Sequence, residues 1–395
     1  MTRVLITDGE QRASLALVRS LGRAGHEVIV CASRRRTLAG ISRHAREEIL
    51  TPDPLDAPGE FDAAVRNLCA ARRIHVLLPV TDAAMSAIDH HRARAAGIRI
   101  PFPSSEVHGR ISDKALLVEQ ASGLGIAVPA QIALSCAEER HTLDLSALPY
   151  PVVVKPARSI AATDGGRAKF GVRHAATPND LARVLDQFPP QAYPLLLQQR
   201  IAGPGIGVFL LVWDGELSAV FSHRRLREKP PSGGVSVYRE SIAADPALVE
   251  ASRALLARFG WYGVAMVEYK VDDATGTPRL MEVNARFWGS LQLAIDSGVD
   301  FPNLLVSAAL GGRCTPVRAY RVGVRSRWWW GDVDHLLTTL RRSRKTLGLA
   351  PGAPGRVRTL LAFLILWRPG DRNEVLRLDD PLPFVVETLD WLRGR

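Results

Sequence analysis

Met281-Glu282-Val283-Asn284-Ala285-Arg286 is the stretch that decides how the chain is read. Side chains alternate faces along a strand, so Glu282, Asn284 and Arg286 share one face and Met281, Val283 and Ala285 the other. The second set suits a core. The first, an acid, an amide and a guanidinium in a row, makes a poor sheet surface and a good holder for a metal and an anion. Upstream, Ala265-Met266-Val267-Glu268-Tyr269-Lys270-Val271 reads as a strand and Asp272 to Pro278 as a turn-rich loop. A hairpin centred near Thr275 sets Glu268 opposite Glu282, seven residues to either side of it. Two carboxylates so placed repel each other unless a cation lies between them. A hard divalent ion held by two carboxylates, an amide oxygen and phosphate oxygens is the usual way Mg²⁺ is bound. The plainer alternative is a pair of solvated acids on an outer face; Asn284 and Arg286 weigh against it.

Glu268 followed by Glu282-x-Asn284-x-Arg286 resembles the metal-binding strand pair of the ATP-grasp superfamily, and the resemblance covers about the first three hundred residues. It implies ATP as the nucleotide, Mg²⁺ or Mn²⁺ held by Glu268, Glu282 and Asn284, and Arg286 and Asn284 as catalytic groups. Lys114 follows Ser112-Asp113 at a helix start, with Ser112 as the expected cap; it matches a family lysine that reaches the nucleotide phosphates. Tyr150-Pro-Val-Val-Val-Lys155-Pro156 is a strand that Pro156 forbids to continue, and Lys155 matches the lysine that contacts the α-phosphate and adenine. The loop that follows contains Gly165-Gly166 between Thr163 and Lys169. Its glycines let backbone N–H groups wrap phosphate oxygens. Leu195-Leu-Leu-Gln198-Gln199-Arg200-Ile201 resembles the hinge between the two lobes, with the backbone around Gln199 to Ile201 expected at the adenine edge. Many relatives grip the ribose with a carboxylate just beyond; here Gly205-Ile206-Gly207 stands instead.

Asp214-Gly215 joins Phe209–Trp213 to Leu217–Ser222 as a two-residue hairpin turn. Alternation then puts Arg225, Arg227 and Lys229 on one face, where cations could meet phosphate and a substrate carboxylate, and Arg227 is expected as a second catalytic clamp. The stretch from Arg225 to Ser241 looks like a bacterial branch that includes D-aspartate ligases of cell-wall synthesis.

The chain opens βαβ, with Val4–Thr7, a helix through Leu21, Glu27–Ala32, a further strand at His75–Val80 and another at Ile98–Phe102. No GxGxxG occurs, so a dinucleotide fingerprint is not supported. Asp8 and Thr81-Asp82 sit just past strand ends, where open α/β sheets bind ligands, although Asp82 could equally cap the next helix. The expected class is α/β and α+β multidomain. Residues 1–108 form a small parallel-sheet N-terminal domain, and residues 109–312 a two-lobed ATP-grasp fold divided near 197/198. Residues 313–395 form a mostly helical, basic, Trp-rich C-terminal extension.

Composition bounds the rest. At 395 residues the chain can hold two or three cores, and 47% apolar with 23% charged residues is ordinary for a folded protein. Cys31, Cys69, Cys136 and Cys314 have no CxxC spacing and fit free thiols in a reducing cytoplasm. No signal peptide and no apolar run of membrane-spanning length is seen. Fifty-one basic against 40 acidic residues give +11, which favours anionic partners without choosing among nucleotide, lipid and nucleic acid. The extension carries Arg327-Trp328-Trp329-Trp330, Arg341–Lys345 and Val357–Trp367. These could lie weakly on the inner membrane face or simply cap the enzyme; no nucleic-acid-binding fold surrounds them.

The expected activity is ADP-forming ligation. ATP phosphorylates a small-molecule carboxylate, and an amine attacks the acyl phosphate. The alternatives are carbamoyl-phosphate or carboxylase-type activation of bicarbonate, and a non-catalytic nucleotide-binding protein.

Overall fold

A computed structural model of the chain describes all residues except 143, 164, 165, 313, 314, 345, 348, 350, 351, 367 and 395. Four parallel strands, β1 (Arg3–Ile6), β2 (Glu27–Ala32), β3 (Glu47–Leu50) and β4 (Val76–Leu78), make the first sheet in the order β3-β2-β1-β4. The helices α1 (Arg12–Arg23), α2 (Pro58–Arg72), α3 (Asp82–Ala87) and α4 (His90–Ala95) accompany it, and α5 (Ser105–Ser112) and α6 (Lys114–Gly123) follow, leading to the large third sheet. α1 buries Leu15, Leu17, Val18 and Leu21, the inward stripe that its spacing predicts. Ile98–Phe102 forms no strand; only an isolated bridge between Val76 and Arg99 remains of it. β3, Glu-Glu-Ile-Leu, is an edge strand whose acids hide it from periodicity.

The second sheet is antiparallel, with β5 (Gln131–Leu134), β6 (Val152–Pro156), β9 (Arg173–Ala175) and β10 (Leu195–Gln199) in the order β5-β10-β6-β9. Between β6 and β9 a separate hairpin, β7 (Ile160–Thr163) and β8 (Gly166–Lys169), occupies what reads in sequence as a loop. α7 (Pro178–Leu185) covers this sheet, burying Leu181 and Leu185.

The third sheet is the largest. β11 (Gly205–Trp213), β12 (Glu216–Lys229), β13 (Val235–Ser241), β14 (Gly263–Val271) and β15 (Pro278–Asn284) are followed by α9 (Leu291–Ser297) and α10 (Phe301–Ala309), with α8 (Pro246–Arg258) between β13 and β14. The β11–β12 turn is Asp214-Gly215, with φ of +50° and +78°, the left-handed pair that suits a two-residue hairpin. β16 (Arg325–Arg327) and β17 (Asp371–Asn373) complete the order β15-β14-β11-β12-β13-β16-β17. The C-terminal residues therefore add two strands to this sheet as well as three helices, α11 (Trp329–Arg341), α12 (Arg356–Leu364) and α13 (Leu382–Leu392). Buried ion pairs fasten them down, including Arg19–Asp380 at 2.8 Å and Arg327–Asp332 at 2.5 Å. Cys31, Cys69 and Cys136 are free thiols; Cys314, Lys345 and Trp367 lie outside the described residues. Among the described residues no helix is long and apolar enough to cross a membrane.

Candidate functional site

Glu268 and Glu282 are direct partners across the β14–β15 hairpin. The route to that pairing differs from a simple count. Beside the turn, Tyr269 faces Leu280 and Val271 faces Pro278, one residue out of the register predicted from Thr275. A bulge at Met281 restores it, so that Glu282 rather than Met281 meets Glu268. The bulge also shifts the inward phase, because Leu280 and Val283 are both buried while Met281 is only partly covered. The Met281 carbonyl, turned out of the ladder, accepts from Lys155 Nζ at 3.4 Å.

The carboxylates sit in a ring of cations. Arg225 of β12 donates to Glu268, and its other arm reaches Glu228 at 3.0 Å. Lys155 comes from the end of β6, and Lys114 from the first turn of α6, where its Nζ donates to Ser159 Oγ at 2.9 Å. The cap of that helix is Asp113, which accepts from the Ala115 and Leu116 N–H groups. Ser112, expected as the cap, closes α5 instead. Asn284 donates through Nδ2 to Glu268 at 3.0 Å and accepts through Oδ1 from Arg286 at 3.0 Å.

Burial and the neighbouring charge of Glu282 push the Glu268 carboxyl up to about 7 against the pull of Arg225. Burial works the same way on Glu282, but Lys114, Lys155, Arg225 and Arg286 outweigh it and hold that carboxyl below its usual range. Burial brings the Lys155 ammonium down to about 8, resisted by Glu282. The two glutamates thus have opposite tendencies set by which cations each one faces.

Asp82 joins from the first sheet. Thr81, not Asp82, caps α3 by accepting from the Ala84 N–H at 3.1 Å, which frees the Asp82 carboxylate. It meets Arg286 at 2.9 Å and His108 at 3.3 Å. Burial opposes its charge, yet Arg286 and His108 keep it well below the ordinary carboxylate range. Two cavities open here. One of about 460 Å³ is lined by Lys114, Ser159, Arg167, Glu282 and Asn284, the other of about 360 Å³ by Asp8, Arg12, Thr81, Lys169 and Arg286. Asp82 and Ile160 border both. Arg12 is held at the second cavity by Glu374 from beyond β17, at 2.7 Å, and lies 3.7 Å from the centre of the Trp328 ring. Nothing local in the sequence announces Arg12 or Glu374.

Arg227 is not brought to this cluster. Leu226 on β12 and Val237 on β13 have no partners of their own, so the register slips on both sides of Arg227. Alternation fails there. Arg225 turns to Glu268, while Arg227 pairs with Asp332 of α11 at 2.6 Å and stacks on Tyr238, and Lys229 pairs with Asp334. Arg225, not Arg227, is the β12 cation that reaches the carboxylate pair. On the hinge, Gln198 is buried and donates to Gln131 Oε1 at 2.9 Å. The Gln199 and Arg200 N–H groups are taken by the Ala130 and Pro151 carbonyls. Ile201 is buried and its carbonyl accepts from Lys270 at 3.5 Å. Gly166 starts β8; Gly165 lies outside the described residues.

Among the described residues there is no cluster of three acidic, His or Cys ligands. The donor set Glu268, Glu282 and Asn284 suits an oxygen-loving divalent ion that completes its sphere with phosphate and water. Asn284 would have to turn its amide over to offer oxygen. Arg225 Nε, Arg286 Nε and Gln198 Oε1 are buried without a hydrogen-bond partner among the described residues, which suits an anionic, hydrogen-bonding ligand.

The solved structures with the same arrangement decide the fold. An L-amino acid ligase from Bacillus licheniformis superposes with a TM-score of 0.62 at 19% identity, covering 78% of this chain and 74% of that one. A biotin carboxylase from Campylobacter jejuni, solved with β,γ-ATP, gives 0.63 at 18%, covering 82% and 74%. Residues 191–329 match the family described as ATP-grasp in the biosynthetic pathway with Ter operon. The matched segment, residues 191–329, is of the ATP-grasp family. A protein of Streptomyces coelicolor (strain ATCC BAA-471 / A3(2) / M145) named as a D-alanine–D-lactate ligase is 27% identical over 229 residues. That match takes in 54% of this chain and 63% of the relative's length.

Proposed function

We propose that the chain is an ADP-forming ligase that activates a small-molecule carboxylate as an acyl phosphate and joins it to an amine. The observation that carries this reading is the Glu268–Glu282 pair, faced by Lys114, Lys155, Arg225 and Arg286 in one cluster beside two cavities. The substrate carboxylate oxygen attacks the terminal phosphorus of ATP, ADP leaves, and the amine then attacks the acyl carbon and expels phosphate. Charge on the moving phosphoryl group and on the tetrahedral intermediate is the main barrier, and preorganised cations lower it.

In this reading Lys155 and Lys114 hold the nucleotide phosphates, Arg286 faces the reacting oxygen atoms, and Asp82 orients Arg286. Gln198, Gln199 and Ile201 are assigned to the adenine side, and Gly166 at the start of β8 to the phosphates. Glu268, Glu282 and Asn284 would hold Mg²⁺ or Mn²⁺, which would supply charge neutralisation for phosphoryl transfer. The cavity at Arg12 and Arg286 is the place for the carboxylate and amine partners. Residues 1–108 would serve the acceptor side, 109–312 the nucleotide, and 313–395 the buttress that carries Glu374. The ligase names of two relatives favour amino- or hydroxy-acid substrates, in keeping with the resemblance to the D-aspartate ligase branch. Free Cys31, Cys69 and Cys136 suit work in a reducing cytoplasm.

Screening paired amino and hydroxy acids for ADP and phosphate release, with products identified by mass spectrometry, tests the reading. AMP and pyrophosphate would overturn it. Release that needs bicarbonate and no amine would favour carboxylase-type activation instead.

A further inference from the structure

The C-terminal helix α12, Arg-Val-Arg-Thr-Leu-Leu-Ala-Phe-Leu, is turned inside out relative to an ordinary surface helix. Its apolar residues at i, i+3, i+4 and i+7, the spacing that normally faces a core, point to solvent. Val357 is 71% exposed, Leu360 37%, Leu361 59% and Leu364 58%, and Ile365 and Leu366 continue the strip at 46% and 57%. The opposite side is the one that packs. Thr359 is buried, and Phe363 lies 5.8 Å from the Trp329 ring with the Arg327 guanidinium 4.6 Å from its own centre. Contiguous exposed apolar surface of this kind marks an interaction site rather than chance.

The border of the strip says what covers it. Arg356 and Arg358 are exposed on the same helix, and Arg341, Arg342 and Arg368 are exposed at the ends of the adjoining segments. Self-association across α12 would bring these cations against their own copies. A second exposed apolar strip, on α13, is edged by the neutral pairs Arg23–Asp379 and Arg34–Asp390 and by one exposed arginine, Arg393, at its C-terminal end, so the larger group of exposed cations borders α12. We propose that α12 docks on an anionic lipid surface. Its leucines enter the headgroup boundary and its arginines meet the lipid phosphates, with the helix lying in the plane of the membrane. This requires nothing of the catalytic reading, since none of these residues lines the two cavities at the carboxylate pair.

The test is flotation of the full chain with vesicles of phosphatidylcholine alone or with about one third phosphatidylglycerol, at low and high salt. Wild type is expected to float with the anionic vesicles at low salt and to be released as salt rises. Leu361→Glu/Leu364→Glu should lose at least about a hundredfold of its partitioning, the equivalent of two leucines no longer buried. Arg356→Glu/Arg358→Glu should lose at least about thirtyfold, at about 1 kcal/mol for each of the two cations taken from an anionic leaflet. Both pairs change exposed side chains, and thermal melts and ATP-analogue affinity matching wild type would show the variants folded. Flotation that is equal with neutral vesicles, absent at low salt, or unchanged in Leu361→Glu/Leu364→Glu overturns the proposal. A concentration-dependent dimer abolished by that same variant, without lipid binding, would assign the strip to a second copy of the chain and also overturns it.

Discussion

In chelator, Glu268→Gln is expected to gain stability relative to wild type as the pH rises. Burial and the neighbouring Glu282 raise the folded-state Glu268 carboxyl from 4.5 to about 7. A carboxyl raised on folding binds a proton more tightly in the native state. Its stabilising contribution is therefore complete below about pH 4.5 and is lost as the pH climbs through 7. The whole span is on the order of 3 kcal/mol, and roughly 1 kcal/mol of it falls between pH 6 and 8. Asp8, raised by burial to about 6, and Glu387, raised by burial to about 7, push the same way. Both are common to the two proteins and cancel in the difference. Arg225 keeps Glu228 as its partner in the variant, so no cation is orphaned. Denaturant melts of both proteins at pH 6, 7 and 8, with and without Mg²⁺, measure the effect. Wild type should fall behind the variant by about 1 kcal/mol from pH 6 to 8 in chelator, and excess Mg²⁺ should remove that loss while leaving the variant unmoved. A difference that does not change with pH, or that changes in the opposite direction, would refute the charge assignment of the pair.

Lys155→Ala should weaken binding of a non-hydrolysable ATP analogue by roughly tenfold or more, the worth of one charged hydrogen bond. Arg286→Ala should spare that affinity and lower kcat by about 10²–10³; calorimetry beside steady-state kinetics separates the two, and equal losses of affinity would contradict the division. Arg225→Ala should cost turnover, whereas Arg227→Ala should act through stability by taking one of two partners from the buried Asp332, a contrast readable from melts and rates on the same samples. Glu374→Gln leaves Arg239 and Arg12 without their shared buried acid and should destabilise the fold by about 3–5 kcal/mol, checked by denaturant unfolding.

Much of the molecule is written locally. The strand reading of Glu282 to Asn284, the Asp214-Gly215 turn, the triple valine before Lys155 and the Asp-Pro start of α8 are short-range signals, and each lies in the element its pattern implies. The facing glutamates were legible for the same reason, although the count that pairs them works only because Met281 bulges. What local pattern could not decide is where two bulges fall. A bulge is set by what the strand must pack against, and at Leu226 it sends Arg225 to the carboxylates and Arg227 to α11. Asp82 was visible as a polar residue past a strand end, but whether it capped a helix or met Arg286 depended on a sheet two hundred residues away. Glu374 and Arg12 are 362 residues apart and meet only because β16 and β17 add to the large sheet. Periodicity records which face of an element is apolar. It carries no information on which distant charge will complete a buried ion pair, because that choice is made by chain topology and by the cost of leaving the charge unpartnered.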